Sequence, residues 1–472
     1  MGRRTKIVAT LGPASRDAKV VRALIDEGVD VFRVNFAHDT KQAHQATIAT
    51  VREQAAEVDR VVGVLVDLPG PKMRTGPIAS GEAYLPLDSR LVLTAEDIEG
   101  DESCVSTSVD DLAHMVSKDD EIFLADGEIV LRVTSIEGAD VATEVMRPGI
   151  LRSRKGMHLP GAEAHVRAFT PEDEVATKAA IEMGADLVGL SFVKDAQDIQ
   201  RARAAFGEHG PKPLIVAKVE TASAVANLEQ IVAEANLVMV ARGDLGIQTP
   251  LRRVPILQKE IIRTCNEWGR PVITATQMLE SMTRSPLPTR AEAADVANAV
   301  LDGTDALMLS EETAVGNDPV NVVRTMSDLA ETAEASLETE HGICKDAVTD
   351  AVSWAVARAG WRAAEDLSVA AIICPTRTGS TPRRVAISRP SMPIVALSES
   401  LATLGSLAAV WGVELVHLPD IPVAYDDRQD VERVTQAALR AGCVSRGDLV
   451  ALVAGSAGPR AGSTDYLRIV VV

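Results

Sequence analysis

Apolar residues fall in short, recurrent runs along the chain. Eight of them read as strands: KIVAT (6–10), VDVFRVN (29–35), VVGVLVDL (61–68), DLVGLSF (186–192), LIVAKVE (214–220), NLVMVAR (236–242), PVITAT (271–276) and ALMLS (306–310). The runs are near-continuous in Val, Ile and Leu, the pattern of strands buried on both faces of a parallel sheet. Helical periodicity fills most of the intervals. Before the fourth strand, Thr170-Pro171-Glu172-Asp173 supplies an N-cap, a proline for the first helical position and acids for the first turn, and Gly184 ends that helix. Eight strand–helix units in succession predict a (β/α)8 (TIM) barrel.

One interval breaks the rhythm. Residues 77–156 are too long for a βα loop, and EIFLADGEIVLRVTSI followed by EGAD alternates as β-strands do. This predicts a small β lid domain inserted at 77–156, dividing the barrel into 1–76 and 157–335. A C-terminal α/β domain is expected over 336–472, with a helix near 345–360 and strands at VAAIIC (369–374), PIVAL and DLVALVA.

Charge then narrows the function. The formal net charge of −19 argues against nonspecific binding to nucleic acid or an anionic membrane, so an anionic substrate needs a local cluster of cations or a metal. No apolar run approaches the roughly 20 residues that span a bilayer. The opening MGRRTKIVAT has no apolar signal core, which points to the cytoplasm. Cys104, Cys265, Cys344, Cys374 and Cys443 are scattered without a CxxC pair, as expected of reduced, mostly buried thiols and not of a zinc site.

In a barrel of this kind chemistry sits at the C-terminal ends of the strands. There the chain places Arg33 and Asn35, Asp67 followed by Arg74, Ser191, Lys218 and Glu220, Arg242 and Asp244, Thr276 and Gln277, and Ser310. Lys218 and Glu220 are two apart on one strand and so point the same way. Glu220 and Asp244 end adjacent strands and can share a hard divalent cation, Mg²⁺ or Mn²⁺. With Lys218, Arg33 and Arg74 they form an electrostatic clamp for a phosphoryl group in transfer. The same set also suits the enolate of a 2-oxo acid in an aldol cleavage, and spacing alone leaves both open.

Longer stretches carry a resemblance. KIVATLGPAS (6–15), FRVNFAH (32–38), VDLPGPKMRTG (66–76), KGMHLPG (155–161), AKVET (217–221), VARGDLG (240–246), ITATQMLESM (273–282) and PTRAEAADVANAVLDGTDALMLSEET (288–313) are similar to the pyruvate kinase family, across essentially the whole chain. The resemblance implies the same barrel, lid and C-terminal domain, and transfer of the phosphoryl group of phosphoenolpyruvate to ADP. It implies Glu220 and Asp244 as Mg²⁺ ligands and Lys218 as the residue that stabilises the phosphoryl group in flight. Arg33 and Arg74 would hold phosphate oxygens, Thr276 would lie at the enolate face where a proton arrives, and the amides of Ala241, Arg242, Gly243 and Asp244 would meet the substrate carboxylate. A homotetramer is implied as well.

Four departures modify this picture. NFSHG of the family reads Asn35-Phe36-Ala37-His38-Asp39, removing a hydroxyl that ligates K⁺, and GPEIR reads GPKMR, placing Lys72 where K⁺-requiring members have glutamate. Both changes predict an enzyme that needs no K⁺, with the Lys72 ammonium standing in for it. Glu311 replaces the family's glycine in LSEET, with backbone strain expected if φ is positive there. The lid motif reads Ala125-Asp126-Gly127 in place of Asp-Asp-Gly. Further on, Thr376, Arg377, Thr378, Gly379, Ser380 and Thr381 match the family's effector loop and form a candidate cradle for a phosphorylated allosteric effector. Two competing readings remain at this level: a metal-dependent lyase or aldolase for 2-oxo acids, and a weakly active relative serving as a metabolite sensor, which rests on Glu311.

Overall fold

The computed structural model describes residues 2–125, 127–160, 167–207, 212–337, 345, 350–422, 425, 427–455 and 463–472. Eight parallel strands close a barrel in chain order: Lys6–Thr10, Val31–Asn35, Gly63–Asp67, Leu187–Leu190, Leu214–Val219, Leu237–Ala241, Val272–Ala275 and Ala306–Leu309. Each observed strand lies inside the run predicted for it. All but the first two stop one or two residues short of their runs, because the backbone turns off the ladder where the functional residues begin. Ser191, Glu220, Arg242, Thr276 and Ser310 thus each stand just past a strand's last ladder residue.

The burial pattern explains the continuous apolar runs. Val8, Val31, Leu65, Leu187, Val216, Leu237, Ile273 and Ala306 fill the barrel interior, while neighbours such as Ile7, Phe32, Val64, Ala217 and Val238 pack outward against the helices. Side chains alternate along a strand. The interior row therefore continues upward from Val31 to Arg33, Leu65 to Asp67, Leu187 to Gly189 and Ser191, and Val216 to Lys218. The helix after residue 170 starts as expected, with Thr170 and Asp173 forming a reciprocal capping box and Pro171 in the first turn.

The floor of the barrel is closed by the C-terminal part of the chain. Ala408 and Ala409 pack into the interior cluster, the Gly412 amide donates to the Arg4 carbonyl at 2.9 Å, and Arg389 meets Asp305 at 3.2 Å. Gly405 is required by this fit, since a Cβ there would stand 2.3 Å from the Asp186 carboxylate, which Arg52 holds at 2.6 Å.

The inserted segment forms a six-stranded sheet over a core that includes Leu91, Leu93, Ile122, Leu131 and Val141. Its first strand in sheet order, Met157–His158, pairs with Glu121–Leu124 and lies just beyond the expected boundary at 156. A second sheet pairs Glu82–Leu85 with Gly149–Arg152. In the C-terminal part, Val413–His417, Ile394–Ser398, Ala371–Pro375 and Leu449–Ala454 run parallel, and Tyr466–Val471 adds an antiparallel edge. The first and last of these five were not foreseen. Val413–His417 is half-exposed and follows no helix signal, and Tyr466–Val471 is an edge strand of intermediate exposure. The helix expected near 345–360 runs Ala351–Asp366; residues 346–349 lie outside the described residues. Of the cysteines, Cys265 and Cys374 are buried, Cys104 and Cys443 are half-buried, and all four are free thiols. Cys344 lies outside the described residues, as does Asp126 of the lid motif.

Candidate active site

A buried charge cluster sits at the C-terminal mouth of the barrel. Asp67 is its hub. Its Oδ2 accepts from Arg33 Nε at 2.9 Å and Nη2 at 2.5 Å, and its Oδ1 lies 3.1 Å from Lys218 Nζ. Lys218 also meets Glu220 Oε1 at 2.9 Å and donates to the Ser191 hydroxyl at 2.8 Å. Glu220, fully buried, takes a second bond from the Phe192 amide at 2.7 Å on Oε2. Phe192 reaches that position with φ of 54°, in the left-handed region. Gly189 makes room for the hub, because a Cβ there would lie 3.0 Å from Asp67 Oδ1.

Electrostatics follow from this geometry. Burial alone would raise the Asp67 carboxyl, but Lys218 and Arg33 outweigh it and bring the pKa down to about 2. Burial would likewise depress Lys218, yet Asp67 and Glu220 hold its pKa above the ordinary lysine value. For Glu220 burial wins: the carboxyl is pushed up, Lys218 opposing and Asp244 adding to the rise. A second positive charge brought between Glu220 and Asp244 would relieve that repulsion.

Above the cluster opens a cavity of about 750 Å³, lined among others by His38, Lys72, Arg74, Lys155, Asp244, Thr276, Gln277, Glu280, Ser310 and Glu311. Lys72 reaches solvent across this mouth; desolvation at the wall lowers its pKa, Lys218 adds repulsion, and Asp67 and Asp244 oppose. His38 is lowered by burial and then by Lys72 and Arg74. Asp244, half-buried in the helix Arg242–Gln248, has an unpaired carboxylate among the described residues. Glu220 Oε1 and Asp67 Oδ1 face Lys218 without accepting a well-directed hydrogen bond. Among the described residues no group of three or more His, Cys, Asp or Glu side chains gathers as a metal site. Glu220 beneath the cavity and Asp244 on its wall are the two carboxylates suited to a divalent cation that keeps water and substrate as its remaining ligands.

The turn after the seventh strand is strained. Thr276 and Gln277 both have positive φ, 68° and 52°, which costs about 1–3 kcal/mol each for residues with side chains. Thr276 Oγ1 accepts from the Gly243 amide at 2.8 Å and donates to the Ala275 carbonyl at 2.6 Å.

The sequence-predicted residues separate into three groups. Arg33, Lys218 and Glu220 form the buried cluster, while Lys72, Arg74, Gly243, Asp244 and Thr276 line the cavity above it. Arg242 belongs to neither: its guanidinium turns away to Asp295 at 2.6 Å and to main-chain carbonyls, so only its amide is available to a ligand. Asn35 Oδ1 accepts from the Ala37 amide at 3.1 Å, and Ala241 is the buried last residue of its strand. Sequence reading saw Asp67 and Ser191 at strand ends but gave them no part. The signal was the inward parity they share with Lys218. Lys155 is on a loop, and Glu280 and Glu312 are on helical segments of four residues each, too short for periodicity to reveal.

Glu311 corrects an expectation. It begins the short helix Glu311–Ala314 and is not among the residues with positive φ, so no strain resides there. Its carboxylate is exposed at the cavity mouth. Replacing Glu311 by glycine should therefore leave kcat nearly unchanged and lower KM for anionic substrates by about two- to threefold, the reach of one screened surface charge; steady-state kinetics at two salt concentrations would check this.

In the candidate effector loop, Gly379 has φ of 76° and its amide donates to Thr376 Oγ1 at 2.9 Å. Thr378 and Ser380 share a hydrogen bond at 2.9 Å, as do Thr381 and Thr464 at 2.8 Å. Thr403 donates to the Arg377 carbonyl at 3.0 Å. The loop is held in shape by its own side chains together with Thr403 and Thr464.

Comparison with known proteins separates the readings that spacing left open. The pyruvate kinase barrel-domain profile matches residues 2–323 and the pyruvate kinase alpha/beta-domain profile matches 354–470. The chain belongs to the pyruvate kinase family. It is 39% identical over 481 residues to the pyruvate kinase of Geobacillus stearothermophilus, covering 100% of this chain and 81% of that one. It is 38% identical over 480 residues to the pyruvate kinase of Thermococcus litoralis, covering 99% and 98%, and 40% identical over 476 residues to pyruvate kinase 2 of Synechocystis, covering 100% and 79%. Pyruvate kinases are phosphotransferases built on this barrel, and the lyase reading falls away.

Proposed function

We infer that the chain is a pyruvate kinase: it transfers the phosphoryl group of phosphoenolpyruvate to ADP, with a divalent metal, giving pyruvate and ATP as the final step of glycolysis. The observation that carries this is the buried Asp67–Arg33–Lys218–Glu220 cluster beneath a cavity of about 750 Å³, with Lys72, Arg74 and Lys155 on its wall, in a member of that family.

In the reaction the bond between phosphorus and the enol oxygen breaks, leaving its electron pair on that oxygen, while a β-phosphate oxygen of ADP bonds to phosphorus. The Lys218 ammonium, kept protonated by Asp67 and Glu220, faces the negative charge on the moving phosphoryl oxygens. Arg33, oriented by Asp67 and Thr10, and Arg74 at the cavity wall hold the outer phosphate oxygens. The amides of Arg242 and Asp244, in a first helical turn without intrahelical partners, suit the substrate carboxylate. Glu220 and Asp244 would hold Mg²⁺ or Mn²⁺, which when bound supplies positive charge to the phosphate and enolate oxygens. The enolate is then protonated on its methylene carbon. The Thr276 hydroxyl already donates to Ala275, so its part is to order a water that delivers that proton.

K⁺ independence is part of the proposal. Ala37 offers no hydroxyl, and the Lys72 ammonium lies where both Asp67 and Asp244 act on it. The Lys72→Glu, Ala37→Ser double variant should depend on K⁺, while the unmodified enzyme turns over equally well with K⁺ or tetramethylammonium. Equal insensitivity of both proteins would remove Lys72 from this role. The same assay tests the activity itself: absence of pyruvate formation from phosphoenolpyruvate, ADP and Mg²⁺ in either buffer would overturn the reading.

A homotetramer, a cytoplasmic location and a phosphorylated effector at Thr376–Thr381 complete the proposal. Leu251 and Ile256, exposed at the start of one outer helix, offer apolar surface for a second copy to cover. Among the described residues no helix is long and apolar enough to cross a membrane.

A further inference from the structure

We propose that Arg242 and Glu312 are positioning residues that together hold the strained turn after the seventh strand, and through it the Thr276 hydroxyl. The proposal rests on the reading of Thr276 as the residue that orders proton delivery.

The turn is gripped from two sides by opposite charges. On one side Arg242 engages its carbonyls: Nε lies 3.3 Å from the oxygens of both Ala275 and Thr276, and Nη2 lies 2.6 Å from Thr276 O, 3.2 Å from Gln277 O and 2.8 Å from Met278 Sδ. Arg242 is itself fixed by Asp295 at 2.6 Å and Gln258 at 3.1 Å. On the other side the Glu312 carboxylate, almost wholly buried, spends one oxygen on each neighbouring loop. Oε1 accepts the Leu279 amide at 3.1 Å and Oε2 accepts the Ser310 amide at 2.6 Å. A cation drawing on carbonyls and an anion drawing on an amide polarise the same five residues in one sense.

Two consecutive side-chain-bearing residues in the left-handed region do not stay there without such restraint. What the restraint secures is chemical. Thr276 Oγ1 receives the Gly243 amide, so the turn fixes both the hydroxyl at the cavity and the first turn of the helix that presents Asp244. Displacement by about 1 Å at such a point commonly costs on the order of 100-fold in rate.

Arg242→Lys keeps the charge but replaces a five-donor fork with a point donor that cannot span three carbonyls. Glu312→Gln keeps the shape but leaves an NH2 facing one of the two amides. For each full-length variant the measurements are kcat, KM for both substrates, exchange of pyruvate methyl hydrogens with D2O, and backbone amide exchange over 276–280. We expect kcat and methyl exchange to fall together by about 10- to 100-fold, KM values to stay within about threefold, and amide exchange over 276–280 to quicken. A rate loss carried by KM alone, or a well-folded Glu312→Gln enzyme with kcat and methyl exchange within threefold of the parent, would overturn the proposal. Thr276→Val serves as the control. Unchanged methyl exchange in that variant would sink the role of Thr276, while the grip on the turn would still be decided by amide exchange in the other two.

Discussion

Replacing Lys218 by methionine is expected to lower kcat by about three orders of magnitude, the upper end of what one preorganised charged donor contributes to a transition state. Methionine fills the space of the lysine stem, so packing against the barrel interior survives. What disappears is the ammonium that Asp67 at 3.1 Å and Glu220 at 2.9 Å jointly hold. Metal binding, followed by Mn²⁺ electron paramagnetic resonance, should be retained or strengthened, because Glu220 loses a competing cation. Near-parental kcat in this variant would remove Lys218 from the chemistry, and loss of Mn²⁺ binding together with kcat would show that the lysine chiefly organises the carboxylates.

Replacing Asp67 by asparagine should be the most disruptive single change in the site. Asparagine matches the shape but leaves Arg33 and Lys218 without their shared anion, and breaking a buried pair of this kind costs about 3–5 kcal/mol. Both thermal stability and turnover should fall. The same carboxylate shapes the acid limb of stability. Its pKa drops on folding from the ordinary 3.8 to about 2, so the unfolded chain binds the proton more readily. The stabilisation, about 2 kcal/mol from this shift alone, is complete above the unfolded value near pH 4 and is lost as pH falls toward 2. Urea midpoints between pH 5 and 2 should therefore fall less steeply in Asp67→Asn than in the parent. Parallel curves would show that Asp67 carries none of the acid sensitivity.

Much of this architecture could be read from the chain because the barrel imposes one rule on every strand. Inward positions alternate, and the change from Val216 to Lys218 or Leu65 to Asp67 marks where the apolar layers end and the mouth begins. Parity set Lys218 and Glu220 on one side of their strand, and the structure gathers them with Arg33 around Asp67. Parity did not disclose that Asp67 binds Arg33 and Lys218 at once, since that depends on the second strand pairing with the third and on the fifth reaching the same carboxylate across the fourth. Loop residues were less legible still. Arg242 had a role in the sequence reading only through its amide; that its side chain turns to Asp295 depends on the helix that begins at that residue. Glu311 seemed strained because a glycine is usual there, and the helical backbone at 311 removes the reason. Glu312, one residue on, carried no periodic signal, although both of its oxygens are engaged.

The closure of the barrel floor has a consequence for how the chain is made. The first strand begins at Lys6, but the main-chain bond at Arg4 awaits Gly412, and the interior layer is finished by Ala408 and Ala409. The eighth strand ends at Leu309, so at about 5–20 residues per second of synthesis the complete barrel waits roughly 5–20 seconds with its lower apolar layer uncovered. During that interval the nascent chain presents a hydrophobic socket matched in shape to a segment not yet translated, and a chaperone that binds there must leave before the C-terminal part can dock.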